Sequence, residues 1–138
     1  VLKVPKALVE RIIAHARDAY QAKPGPNESC GILGGRNSTA THIYQVKNVA
    51  DTPRTRYFMD EKELIWIFKN MRHNGLELVA IYHSHPETQA YPSPTDVKLA
   101  YYPEATYILT SLQVPKNPVM HAYRIIDGKI TEEQLEII

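Results

Sequence analysis

The residues best suited to chemistry lie in one short stretch, 83–96. His83 and His85 stand two apart at the end of the apolar run Leu78-Val79-Ala80-Ile81-Tyr82. That run is rich in strand formers, and along a strand residues i and i+2 share a face. Both imidazoles can therefore aim at one point while Ser84 faces the other way. Pro86 ends the strand, because it offers no N–H to a ladder. Ser93-Pro94-Thr95-Asp96 then reads as a helix start, with Ser93 at the N-cap and Pro94 at the first helical position. Two neutral imidazoles and the Asp96 carboxylate make a three-ligand set that leaves a fourth tetrahedral position for water. Catalytic zinc is held in such an open arrangement.

The elements that must position these groups can be read from periodicity. Residues 5–20 form an opening helix, with Pro5 near its first position and Leu8, Ile12, Ala16 and Ala19 along one face. Lys23-Pro24-Gly25-Pro26-Asn27 ends it in a loop. A short strand from Glu28 to Leu33 follows, closed by Gly34-Gly35. A second strand is expected at 41–49 and a third at 56–59, with loop between them. Asp60 followed by Glu63 resembles a capping box and opens a helix to about residue 74, its buried stripe Leu64, Ile67, Phe68 and Met71 and its stop Gly75. After the histidine strand come the Ser93 helix, to about Tyr102, and a buried strand at 105–112. Residues 119–126 and 129–138 read as a hairpin across Asp127-Gly128, a pair suited to a type I′ turn. Helices this scattered do not give a regular βαβ alternation. The expectation is an α+β fold with a curved, mixed or mostly antiparallel sheet flanked by helices.

With 138 residues the chain suffices for one domain with a real core, taken as residues 1–138. A net charge of +1 gives no reason to propose a nucleic-acid or membrane partner. The single cysteine, Cys30, excludes an intrachain disulfide and a multi-cysteine zinc site, and is read as a small core residue. The first residues lack the apolar core of a signal peptide, so a cytoplasmic protein is expected.

Residues 83–96 resemble the JAMM (MPN+) zinc metallopeptidases, the Mov34/MPN/PAD-1 family. Their pattern is an upstream glutamate, then His-x-His-Pro, six residues, and Ser-x-x-Asp. Here His83-Ser84-His85-Pro86, residues 87–92 and Ser93-Pro94-Thr95-Asp96 meet that spacing without a gap, and Glu28 in Glu28-Ser29-Cys30-Gly31-Ile32-Leu33-Gly34 matches the upstream element. The resemblance implies a cytidine-deaminase-like architecture and a zinc ion held by His83, His85 and Asp96. It implies Glu28 as general acid/base and Ser93 as a donor to the oxyanion. It further implies cleavage after the C-terminal Gly-Gly of a ubiquitin-like protein. Family members specialised for polyubiquitin chains carry insertions flanking the motif, whereas residues 87–92 and 97–104 are short here and leave no obvious platform for a second ubiquitin. The compact form is similar to prokaryotic enzymes that process ubiquitin-like sulfur carriers or their conjugates. A non-catalytic MPN scaffold is the competing reading, although scaffold members typically lose ligands and this chain keeps all five motif residues. Ser93 as a helix cap and nothing more also stays open.

Other His-x-His families fit less well. Zinc deaminases need His-x-Glu and a later Pro-Cys-x-x-Cys, which one upstream cysteine cannot supply. Metallo-β-lactamase-like hydrolases place Asp and His directly after the first pair, where this chain has Glu87 and Thr88. A cupin-like oxygenase would need His121 as third ligand and would leave Asp96 and Glu28 unexplained. His15, His42 and His73 are expected at the surface or behind the site.

Overall fold

The computed structural model describes residues 1–138. The elements are β1 (Leu2–Val4), α1 (Lys6–Gln21), β2 (Cys30–Arg36), β3 (Thr39–Val46), α2 (Glu61–His73), β4 (Glu77–His85), α3 (Pro94–Lys98), β5 (Thr106–Ser111), β6 (Val119–Ile126), β7 (Lys129–Glu133) and β8 (Leu135–Ile137). All eight strands form one sheet in the order β7-β6-β5-β4-β2-β3-β1-β8. Strands β7 and β8 stand at opposite ends of that order, yet only Gln134 separates them in the chain. The sheet must therefore curl until its ends nearly meet. As expected it is mixed: β4–β5, β1–β3 and β1–β8 are parallel and the remaining pairs antiparallel.

Each face of the sheet buries one helix. Leu8, Val9 and Ile12 of α1 pack with Leu33, Ala80, Tyr82 and Ile108. Ile67 and Met71 of α2 pack on the other face with Ile32, Ile81, Tyr107 and Leu109. Each buried Leu, Ile, Val or Met side chain among these contributes about 1.5–3 kcal/mol. Asp60 caps α2 through its side chain, which accepts from the Glu63 N–H at 3.0 Å, and Gly75 follows the helix at φ +65°. Asp127 and Gly128 both have positive φ, as a type I′ hairpin turn requires. No helix is long and apolar enough to cross a membrane.

Several boundaries differ from expectation. Strand β2 starts at Cys30 and runs through Gly34-Gly35 to Arg36, because the glycines sit at β-bulges rather than in a terminating turn. Strand β3 ends at Val46, and the strand expected at 56–59 is a single bridge between Asn48 and Met59. Helix α3 stops at Lys98. The hairpin arm expected at 129–138 is split: β7 pairs with β6, whereas β8 crosses to pair with β1. Strand β1 itself has no signature in so short a stretch. It forms because Leu2 and Val4 bury against α1 while β8 supplies its ladder.

Candidate metal centre

Antiparallel pairing sets Cys30 opposite His83. Residues directly opposite share a face, so the register carried two residues further brings Glu28 across from His85. Strand β5 then runs parallel to β4, and parallel neighbours need a crossover. The chain leaving His85 must return to the far end of the sheet, and on the way residues 86–105 place α3 over the histidines.

The result is a tight, buried convergence. His83 Nε2 and His85 Nε2 are 3.2 Å apart, and Asp96 Oδ2 lies 3.1 Å from the first and 3.0 Å from the second. A tetrahedral ion with ligand bonds of about 2.0 Å has ligands about 3.3 Å from one another, so this triangle matches one face of such a site. A Glu28 oxygen and the two imidazole nitrogens also lie within 4.8 Å of one another, and these three residues form a group that could hold a metal ion. Glu28, His83 and His85 are each 4% exposed or less, and Asp96 8%.

The surroundings set the protonation of each group. His85 Nδ1 lies 2.8 Å from the Gln89 carbonyl and can only donate to it, which leaves the Nε2 lone pair facing the centre. Burial lowers the pKa of His83 against the pull of Asp96, which favours the neutral ligand form. Burial also opposes ionisation of Asp96. The attraction of His83, with hydrogen bonds from both histidines and the Ser93 N–H, nonetheless holds its carboxyl well below the usual range. Glu28 goes the other way: burial, opposed by His85 and reinforced by Asp96, pushes its pKa up to about 8. Its Oε1 and the Nδ1 of His83 are buried without a partner. Such orphaned atoms are rare in a purely structural cluster.

Ser93 and Asp96 hold each other. The Ser93 hydroxyl accepts from the Asp96 N–H at 3.1 Å, and Asp96 Oδ2 accepts from the Ser93 N–H at 2.9 Å, a full capping box. Ser93 keeps its own hydroxyl proton free to donate. With His85, Gln89, Tyr91, Val97 and Ile130 of β7 it lines an open cleft of about 680 Å³. Arg54 grips Glu87 with two bonds of 2.6 and 2.8 Å, joining the loop behind Glu28 to the loop after His85. Asn48 supports the same region by donating to the Glu28 carbonyl at 3.1 Å.

His121 is exposed on β6 and lines a separate depression with Val119 and Tyr123, so it is no third ligand. His42 and His73 are exposed. His15 is half-buried, its Nδ1 2.8 Å from the Tyr82 hydroxyl. Cys30 is fully buried in the core, with burial driving its thiol pKa up. Sequence reasoning missed the supporting groups Gln89, Asn48 and Ser29. A backbone carbonyl and loop contacts leave no trace in residue spacing.

Comparison with known proteins shows the family of the chain. The family model described as prokaryotic homologs of the JAB domain matches residues 5–126. A CysO-cysteine peptidase of Mycobacterium tuberculosis is 38% identical over 141 residues, covering all of this chain and 92% of its own length. A desampylase of Haloferax volcanii is 38% identical over 104 residues, 74% of each protein. The solution structure of a protein from Desulfitobacterium hafniense superposes with a TM-score of 0.86 at 34% identity, covering all of this chain and 93% of that one. This chain belongs to the prokaryotic branch of the JAMM/MPN family and is a hydrolytic enzyme of that type.

Proposed function

We propose that residues 1–138 work as a single zinc-dependent metallopeptidase domain, with the ion held by His83, His85 and Asp96. The observation that carries the reading is the buried triangle of donor atoms 3.0–3.2 Å apart, with the Glu28 carboxylate beside it. Asp96 fits as the third ligand better than Glu28, because a single Oδ2 is nearly equidistant from both imidazoles. Glu28 stays free to handle protons.

When bound, zinc would supply Lewis acidity, polarising the scissile carbonyl and making water a competent nucleophile near neutral pH. Glu28 takes the proton of the attacking water and delivers it to the departing amine. With no cation beside it, burial pushes its pKa up to about 8 and the carboxyl readily holds a proton, as delivery to the amine requires. A cation bound next to it would favour the ionised form that accepts the proton of the water. The Ser93 hydroxyl donates to the oxygen on which negative charge develops. His85 is kept in the ligating tautomer by the Gln89 carbonyl.

The substrate is a ubiquitin-like sulfur-carrier protein or its conjugate, cut after the C-terminal Gly-Gly to release an amino acid, peptide or protein. Relatives matching most or all of the chain support this class: one is named for CysO-cysteine, the other as a desampylase. A scaffold role gains no support, since all five motif residues are present and gathered. The test is zinc stoichiometry alongside turnover of a Gly-Gly-linked substrate, for wild type and Glu28→Gln. The variant should keep its zinc and fall to near-background hydrolysis. Wild-type turnover in Glu28→Gln would show that another group moves the proton.

A further inference from the structure

His83 and His85 end β4 and Glu28 stands just before β2, so the bonds between these two chain segments fix one against the other. Beyond the last paired residues, Cys30 and His83, the chain at Glu28 turns away, its N–H donating to the Pro53 carbonyl at 2.7 Å. In a regular antiparallel ladder the next opposed pair, Ser29 and Ser84, would exchange two backbone bonds. One is made: the Ser84 N–H donates to the Ser29 carbonyl at 3.1 Å. For the other, the Ser29 N–H donates to the Ser84 hydroxyl at 2.8 Å, and the Ser29 hydroxyl donates to the same oxygen at 3.0 Å. Both serines are buried, at 3% and 1% exposure, so water cannot stand in for these bonds.

The placement matters. Ser84 lies between His83 and His85 with its side chain on the opposite face of β4, and Ser29 is the residue next to Glu28. We propose that Ser84 is a positioning residue for hydrolysis: by holding the Ser29 backbone, its hydroxyl sets the Glu28 carboxylate against the two imidazoles. The inference rests on Glu28 as the proton-transfer group. A glycine, alanine or valine at position 84 could pack the same face but could not accept from the Ser29 N–H. That donor would then be buried and unpaired, a strain relieved by letting residues 28–29 peel away from β4. A displacement of about 1 Å in a reacting group can reduce turnover by about 100-fold.

Ser84→Thr and Ser84→Val test this, because they have nearly the same shape and differ in the hydroxyl. Two readouts are taken: amide exchange at Ser29 by NMR, and kcat and KM with zinc content measured on the same samples. In the valine variant the Ser29 amide should exchange at least tenfold faster than in the threonine variant. Its kcat should be about 10- to 100-fold lower, with KM and zinc content alike in the two. Where the extra methyl prevents folding, Ser84→Ala against wild type gives the same comparison. Equal exchange in the paired variants would overturn the clamp. Faster exchange with equal kcat would overturn the positioning role. An inactive wild type would instead sink the hydrolase reading, and the exchange readout would still decide the clamp.

Discussion

Strand β4 presents two kinds of buried polar group on its two faces. Toward α1, the Tyr82 hydroxyl meets His15 and the Ser84 hydroxyl is met by two donors from Ser29. Toward α3, His83 and His85 crowd one carboxylate oxygen, while His83 Nδ1 and Glu28 Oε1 are left without partners. Both faces are equally dry, so burial alone does not tell them apart. The distinction is in the accounting of hydrogen bonds. Polar groups that satisfy one another hold a fold together, and polar groups that converge with unused capacity hold something else. Thr110, whose hydroxyl oxygen is buried and unpartnered on the α1 side, is the one exception.

The contrast is tested most severely at Asp96. Asp96→Ala removes the only anionic member of the donor triangle and one half of the capping box. Zinc should be lost on dialysis and hydrolysis abolished, while stability falls by only about 1 kcal/mol from the cap. Metal analysis and a urea titration read the two separately. A variant that retains full zinc would transfer the third-ligand role to Glu28 and reverse the assignment made above.

Ser93→Ala sharpens the same comparison at one residue, because Ser93 has both a structural and a chemical partner. Zinc should stay bound while kcat falls by roughly 10²–10³, as for loss of an oxyanion donor elsewhere. If turnover is unchanged and about 1 kcal/mol of stability is lost, Ser93 is a helix cap alone.

The smallest effect belongs to the α1 face. Burial, opposed by Asp18, lowers the pKa of His15 in the folded protein. Between the folded and unfolded pKa values the unfolded chain binds more protons, so stability falls as pH drops through that window. The unfolding midpoint of wild type should therefore decline more between pH 7.5 and 5.5 than that of His15→Gln. Parallel declines would mean that His15 is not responsible. Turnover at pH 7.5 should be the same in both proteins.

Much of the candidate site is legible in the sequence, and the reason is local. The alternation of a strand puts His83 and His85 on one side of β4 without help from the rest of the molecule. The Ser-x-x-Asp spacing is one helical turn, so Ser93 and Asp96 meet wherever that turn forms; that Asp96 returns the bond to Ser93 could have been read from the same spacing. Less was legible where short segments depend on distant partners. Three-residue strands such as β1 and β8 have no period to detect, and they exist because the two ends of the chain pair. The glycines of β2 read as a stop, yet their bulges fit within continuous pairing.

What the sequence determined by itself, then, is the inventory and its short-range order: two imidazoles on one face, a capped aspartate one loop later, a glutamate before a strand. Only the tertiary structure decided that these are one site. Parallel pairing of β4 with β5 forces the crossover that lays Asp96 over the histidines, and antiparallel pairing of β2 with β4 brings Glu28 alongside His85. Spacing along a chain cannot encode either, because strand order is chosen by the burial of both sheet faces at once. The raised pKa of Glu28, the neutral form of His83 and the tautomer of His85 follow from that same burial, and none exists until the sheet has closed around them.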